Sequence, residues 1–168
     1  FKTYKNSMED KAMKDSSKPI VVLAADHAGY EIKEFIKPIL DKMGYSFEDV
    51  GTHNQDSVDY PDYAEKMAVK VVNSENKVGI LACGTGIGAA IASNKIPGIR
   101  AALVNSEQDA ILSIEHNNAN VLVLGGRPFD REKVEKIIPA WFQAEFHGGR
   151  HLRRVKKIEQ IEKKYSLA

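Results

Sequence analysis

Short apolar runs alternate with segments of helical spacing along most of this chain. The first run, Ile20–Ala25, is continuously apolar, as expected of a strand buried on both faces. The next segment, Gly29–Met43, has the apolar spacing of a helix. The same alternation predicts further strands at 45–50, 78–82, 99–104 and 120–124, and further helices at 61–73, 87–94, 106–115, 130–142 and 149–164. Repeated alternation of this kind predicts a five-stranded parallel sheet with helices on both faces.

Length and composition fit one globular domain. The chain has 168 residues, of which 43% are hydrophobic and 28% charged, so it can bury a core of its own. Residues 1–17 are polar, and we expect a disordered tail or a remnant of cloning there, with a single domain over residues 18–168. The last predicted helix carries an apolar row that packs either on a neighbouring subunit or on its own domain: Leu152, Val155, Ile158 and Ile161.

Charge and cysteine content exclude several classes of protein. A net charge of +1 gives no reason to expect nucleic-acid binding, and no apolar run approaches the roughly 18 residues that a membrane span needs. A single cysteine, Cys83, excludes an internal disulfide framework and fits a reducing, cytoplasmic compartment. We interpret the five histidines as too scattered for a metal site, and we expect no cofactor.

Polar residues follow the predicted strands, where open α/β sheets bind their ligands. Asp26 and His27 follow the first strand, Cys83 follows the third, and Arg127 follows the fifth. His116 closes the helix that comes after the fourth strand. Asp26 is either a functional carboxylate or a cap of the next helix, because Asp is a common capping residue.

Residues 83–88 join a thiol to the alternating glycines Gly84, Gly86 and Gly88. Such glycines leave backbone N–H groups turned toward an anion, and the start of the following helix favours negative charge, including a thiolate. The loop therefore suits a base or nucleophile beside a site for one phosphate or oxyanion. It is not G-x-G-x-x-G and no G-K-[ST] follows, which disfavours dinucleotide and P-loop sites. The alternative for Cys83 is a small buried hydrophobe.

A basic segment near the C-terminus offers a second place for an anion. Arg150 and Arg154 are four residues apart, so on a helix they share one face and can clamp a phosphate between them. The alternative is a solvated basic face that binds nothing. The two readings stay open on the sequence alone.

These residues fall into motifs that resemble those of the ribose-5-phosphate isomerase B family. The match runs from about Lys18 to the C-terminus and keeps motif order and spacing, which makes it highly specific. The motifs are Asp26-His27-Ala28-Gly29, Asp59-Tyr60-Pro61, Cys83-Gly84-Thr85-Gly86-Ile87-Gly88, Asn94-Lys95, Gly98-Ile99-Arg100-Ala101, His116-Asn117-x-Ala119-Asn120-Val121 and Gly148-Gly149-Arg150-His151-x-x-Arg154.

The resemblance implies a Rossmann-like α/β/α sandwich and a homodimer, often paired into tetramers, with the C-terminal helix packed on a partner subunit. It implies interconversion of D-ribose 5-phosphate and D-ribulose 5-phosphate, a step of the pentose phosphate pathway, through a cis-enediolate and without a metal. In this family the site is shared between two subunits.

The resemblance also implies catalytic roles. Cys83 matches the base that moves a proton between C1 and C2, because the Gly-Ile-Gly-Ala stretch here has no glutamate of the kind that does this job in some members. Thr85 matches the residue that shuttles protons between O1 and O2. His116, together with Asp26, matches the pair that opens the furanose ring.

Substrate-binding roles are implied in the same way. The backbone N–H groups that stabilise the enediolate belong to the loop of Gly84, Gly86, Ile87 and Gly88. The phosphate is held by His27, Arg150 and Arg154, with Arg127 where an additional arginine often stands, and the sugar is lined by Asn117 and Tyr60.

Three other functions stay open at this point. Relatives isomerise galactose 6-phosphate with two different subunits, whereas this chain keeps Cys83, His116, Arg150 and Arg154 together, which favours a self-sufficient homomeric enzyme. Activity on six-carbon phosphates such as allose 6-phosphate is one alternative. A non-catalytic sugar-phosphate-binding module and a nucleotide-binding domain of flavodoxin type are the others.

Overall fold

The computed structural model describes residues 16–167, and within them five strands form one parallel sheet. The strands are β1 (Ile20–Ala25), β2 (Phe47–Asp49), β3 (Lys77–Cys83), β4 (Ala101–Leu103) and β5 (Val121–Gly125). Their order across the sheet is β2-β1-β3-β5-β4, and each neighbouring pair is parallel. The predicted sheet is confirmed, whereas most of the predicted tail, residues 1–15, lies outside the described residues.

Six helices accompany the sheet in the described part of the chain, close to their predicted positions. They are α1 (Tyr30–Lys42), α2 (Tyr60–Val72), α3 (Ile87–Ser93), α4 (Glu107–Glu115), α5 (Arg131–Gln143) and α6 (Arg150–Tyr165). The predicted caps of two of them are confirmed: Ser106 accepts a hydrogen bond from the Asp109 amide, and Asp130 accepts one from the Lys133 amide. Of the helices in residues 16–167, none has the length and apolarity that crossing a bilayer requires.

The sheet separates two apolar cores. Along β1, the side chains of Val21 and Leu23 pack with α1, α4 and α5, whereas those of Val22 and Ala24 pack with α2 and α3. The alternation follows from the pleat of a strand, in which successive side chains point to opposite faces. The three-layer α/β/α arrangement is therefore confirmed, and Cys83 lies on the α2 and α3 side.

The apolar row on α6 is divided between a buried and an exposed part. Val155 is 3% exposed, whereas Leu152, Ile158 and Ile161 are exposed. Only Val155 confirms packing on the chain's own domain, and packing of the other three on a partner stays a prediction. The C-terminal part of α6 is held near the start of β4, where Glu162 accepts a hydrogen bond from the Gly98 amide at 3.0 Å.

A buried ion pair joins α1 to the end of β2. The ammonium of Lys33, whose side chain is 1% exposed, contacts the carboxylate of Asp49 at 2.5 Å, and Lys37 contacts the same carboxylate at 2.7 Å. Asp49 also accepts a hydrogen bond from the Gly51 amide at 2.9 Å. Burial alone would raise the pKa of Asp49, but the hydrogen bonds from Lys33, Lys37 and Gly51 hold that pKa below its usual value.

Replacing Asp49 should destabilise the fold far more than replacing its neighbour in sequence. Asp49→Ala leaves Lys33 buried without its main partner, and we expect a loss of about 3 kcal/mol in the free energy of unfolding. Glu48→Ala removes an exposed contact to Lys70 and a half-buried one to Lys77, and it should cost less than about 1 kcal/mol. Urea denaturation of the two variants measures the difference, and equal losses would contradict a stabilising role for the buried pair.

The same pair gives the stability a dependence on acid pH. Because the folded pKa of Asp49 is depressed, its contribution is fully present above the unfolded value of 3.8 and is lost as the pH falls through the folded pKa. The stability of Asp49→Ala should therefore fall less steeply with acid than that of the unchanged chain.

Candidate active site

The loop after β3 holds the sulfur of Cys83 against its own backbone. Cys83 is only 4% exposed, and its Sγ accepts a hydrogen bond from the Gly86 amide at 3.1 Å. Gly86 has a φ of 81° and is the N-cap of α3, and a Cβ there would collide with Leu103. Glycine is therefore required at the residue that turns its N–H toward the thiol.

The same loop uses a second amide internally. The Ile87 N–H donates to Thr85 Oγ1 at 3.2 Å. Two of the amides that the resemblance assigns to an enediolate, those of Gly86 and Ile87, are thus directed at Cys83 and Thr85 in this structure. Their arrangement polarises the two side chains to which the resemblance assigns proton transfer.

Asp26 and His27 lie beside this loop at the end of β1. Asp26 is 6% exposed, and its Oδ1 accepts hydrogen bonds from the Ala28 and Gly29 amides, each at 2.9 Å. These two bonds close the turn before α1, whose N-cap is Gly29, so the structure does not confirm Asp26 as the cap of that helix. His27 Nδ1 accepts a hydrogen bond from the Val58 amide at 3.1 Å, so a neutral ring carries its proton on Nε2, which is then a donor for an anion.

Tyr60 and Arg127 complete the group at the carboxyl edge of the sheet. The Tyr60 ring packs on Gly88, where an added Cβ would lie 2.5 Å from its Oη. The Arg127 amide donates to the Gly84 carbonyl at 3.0 Å, and the Gly126 amide donates to the Cys83 carbonyl at 2.7 Å. The loop after β5 is thereby hydrogen-bonded to the loop after β3, which brings the Arg127 backbone beside the thiol loop.

The other candidate residues lie at the opposite edge of the sheet. β4 leads to the carboxyl edge, and α4 then returns over nine residues, a rise of about 13 Å, to end at His116. The next residue, Asn117, accepts a hydrogen bond from Arg100 Nε through its carbonyl at 3.2 Å. Arg150 and Arg154 lie in the first turns of α6 at this same edge, because the His116 and His151 rings stack there.

Within one chain, the residues of the predicted site therefore lie in two separate groups. The carboxyl edge holds Asp26, His27, Tyr60, the loop from Cys83 to Gly88, and Arg127, whereas the amino edge holds His116, Asn117, Arg150 and Arg154. The rule that ligands bind beyond the strand ends accounts only for the first group. The second group cannot reach Cys83 of the same chain, because the length of the sheet separates them.

A cluster of three imidazoles forms at the amino edge, and two of its members, His147 and His151, were not among the predicted site residues. The rings of His116 and His151 stack with centroids 4.1 Å apart and an interplanar angle of 7°, and His147 lies 6.2 Å from His116 by ring centroids. In sequence, His147 and His151 are separated by three residues, a spacing found in zinc sites, so the interpretation of scattered histidines overlooked this pair. His116 joins them only through the fold.

The surroundings of His151 disfavour its protonated form. Burial, and then the nearby groups His116, Arg150, Arg154 and His147, lower the pKa of His151.

The fold and the residues at its carboxyl edge are those of a small open-sheet α/β enzyme. The sequence profile of the ribose/galactose isomerase family matches residues 21–158, so the chain belongs to that family. Ribose-5-phosphate isomerase B of Escherichia coli is 40% identical over 144 residues, which cover 86% of this chain and 97% of that protein.

Solved structures agree with this membership. Ribose-5-phosphate isomerase B of Clostridium thermocellum superposes with a TM-score of 0.85 at 48% identity, covering 88% of this chain and 99% of that one. The enzyme of Mycoplasma genitalium, solved with bound ribulose-5-phosphate, superposes with a TM-score of 0.82 at 41% identity, covering 86% and 97% of the two chains.

Two glycines near Cys83 should respond very differently to the same substitution. A Cβ on Gly29 would collide with the Ala82 carbonyl and lie 2.7 Å from the Cys83 nitrogen, whereas one on Gly84 meets nothing closer than 3.7 Å. Gly29→Ala should therefore lower the free energy of unfolding by about 1–3 kcal/mol, because α1 must move away from β3. Gly84→Ala should change it by less than about 0.5 kcal/mol. Thermal unfolding compares them, and a stable Gly29→Ala would show that α1 is not tightly packed on the strand end.

Proposed function

We propose that this chain is a metal-independent aldose–ketose isomerase that interconverts D-ribose 5-phosphate and D-ribulose 5-phosphate. Family membership and the relative solved with ribulose-5-phosphate support the reaction and the substrate class. The residues expected for such a reaction are all present, and no cofactor is needed for a proton transfer next to a carbonyl. We assign the activity to one domain, residues 18–168, whose cores draw on α1 to α5.

The observation that carries the proposal is the division of the site between two sheet edges. A working site needs a thiol base near a ring-opening histidine and a phosphate clamp, and one chain cannot bring these together. We therefore propose a homodimer in which His116, Asn117, Arg150 and Arg154 of the partner subunit face the Cys83 loop. A symmetric pair of this kind makes two equivalent sites.

Exposed apolar residues lie where such a dimer needs them. Ile87 and Ile91, four residues apart on α3 beside the glycine loop, are 55% and 58% exposed. At the other edge, a cavity of about 800 Å³ is lined by Ile158 and Ile161 of α6 and by Asn117. Burying these side chains against a second copy supplies the apolar contact area that a stable interface requires.

In the proposed mechanism, Cys83 is the base. The Gly86 N–H donates a hydrogen bond to its sulfur, which as the thiolate removes the proton from C2 of the open-chain aldose. The enediolate formed is stabilised by loop amides, and its proton returns at C1. Thr85 Oγ1, held by the Ile87 amide, moves the proton between O1 and O2.

Ring opening and phosphate binding use the remaining groups. His116 of the partner subunit and the carboxylate of Asp26 open the furanose, while Tyr60 and the partner's Asn117 line the sugar. The phosphate is held by His27, through its Nε2–H, by Arg127, and by Arg150 and Arg154 of the partner subunit. Because the phosphate is remote from C1 and C2, its binding energy positions the reacting carbons.

The reducing cytoplasm is the compartment that this mechanism requires. A thiolate base loses its function on oxidation, and Cys83 is a free thiol in the structure. We therefore place the active protein in that compartment.

Replacing the proposed base should abolish turnover without abolishing binding. Cys83→Ala should lower kcat by about 10²–10⁴-fold, the usual contribution of a general base, while the Kd for ribose 5-phosphate stays within about threefold. Turnover is measured with five- and six-carbon sugar phosphates in EDTA, together with exchange of the C2 proton into deuterated water.

The outcomes separate the alternatives. Preferred turnover of allose 6-phosphate would make the chain a six-carbon isomerase. Binding of sugar phosphate without proton exchange in the unchanged chain would make it a binding module. Binding of ATP, NAD or FMN instead would point to a nucleotide-binding domain, and unchanged turnover by Cys83→Ala would remove the thiol from the mechanism.

A further inference from the structure

The three imidazoles at the amino edge converge on one point. His116 ends α4, His147 lies between α5 and α6, and His151 lies in the first turn of α6. A ligand nitrogen from each ring lies within 4.8 Å of those from the other two. We infer that His116, His147 and His151 form a binding site for a divalent transition-metal ion such as Zn²⁺, Ni²⁺ or Cu²⁺, which imidazole ligands favour.

Small movements bring the cluster to coordination geometry. A tetrahedral ion with metal–nitrogen bonds of about 2.1 Å needs its ligand nitrogens about 3.4 Å apart, so a separation of 4.8 Å must close by about 1.4 Å. The side chain of His147 is 53% exposed, which leaves it free to rotate toward the two stacked rings. A solvent molecule completes the shell at the fourth position.

The carboxylate of Glu115 lies next to the imidazole of His147. Glu115 Oε1 lies 3.5 Å from His147 Nε2, and the His147 amide donates to the Glu115 carbonyl at 3.1 Å. This places a carboxylate beside a histidine ligand, as in the second shell of many metal sites, where it fixes the ring and raises its basicity. Its negative charge also offsets part of the positive charge of Arg150 and Arg154.

The hydrogen bond at His151 Nε2 is weak. Nε2 accepts it from Arg150 Nε at 3.5 Å, the limit of a hydrogen bond, so little is lost when an ion takes that lone pair.

The consequence for activity rests on the proposed function. If His116 opens the sugar ring at the partner's site, an ion bound through that imidazole takes the lone pair that the reaction needs. The metal is then a reversible inhibitor of an enzyme that works without one, and a chelator restores the activity.

Direct binding tests the metal site without any assay of turnover. Calorimetric titration of the untagged full chain with Ni²⁺ and Zn²⁺, in a Cys83→Ala background that removes the thiol, should show about one ion per chain. His147→Gln should weaken binding by about tenfold or more, and Glu115→Gln by about 10–100-fold. His53→Gln, which changes an exposed histidine outside the cluster, should leave the affinity unchanged. Absence of binding, or equal affinity in His147→Gln, would overturn the inference.

Inhibition then separates the metal site from the proposed function. In the chain with Cys83 intact, His147→Gln should keep its metal-free turnover and need about tenfold more Zn²⁺ for half-inhibition. Binding that depends on His147 but leaves turnover unaffected would uphold the metal site and contradict the role of His116 in the reaction. If Zn²⁺ inhibited the unaltered protein and His147→Gln equally, the inhibitory ion would bind elsewhere. That result would overturn the proposed link between the histidine cluster and inhibition.

Discussion

The polarity of the parallel sheet decides where every functional group of this chain lies. All five strands end at the same edge, so residues that directly follow a strand, such as Asp26 and Cys83, meet there. A helix that follows a strand must return, so His116 at the end of α4 lies at the opposite edge. No change of side-chain rotamer crosses that distance. The proposed reaction therefore depends on a second copy of the chain, and we propose that the amino edge of one copy faces the carboxyl edge of another.

Backbone hydrogen bonds hold the loop after β3 in place at the carboxyl edge. The Gly126 amide donates to the Cys83 carbonyl, and the Gly86 amide donates to the Cys83 sulfur. Hydrogen bonds therefore hold both the backbone and the side chain of this residue. Gly29 packs α1 directly on the same strand end. Such close backbone contacts hold the thiol in place before substrate arrives, and preorganisation of this kind is a large part of what an active site supplies.

Much of this arrangement is predictable from local patterns, and the rest depends on contacts between distant segments. The apolar runs and helical spacing predict all five strands and six helices, because burial imposes periods of two and 3.6 residues. Lys33 reads as an ordinary polar helix residue, and its buried pair with Asp49 forms only when α1 is packed on β2.

The histidine cluster also depends on contacts between distant segments, since His116 lies 31 positions before His147 and only the return of α4 and α5 brings them together. The sequence leaves the role of Asp26 ambiguous, and its bonds to the Ala28 and Gly29 amides show that one of its oxygens closes the turn between β1 and α1.

Complementation between two inactive variants tests most directly whether the site is built from two chains. Cys83→Ala and His116→Ala each damage one half of the proposed site, at opposite edges of the sheet. When the two are co-expressed, half of the randomly formed dimers are mixed and each mixed dimer has one intact site, so about a quarter of the unaltered activity should return. If each chain built its own site, no intact site would form, and activity that stays at the average of the two variants would contradict the account.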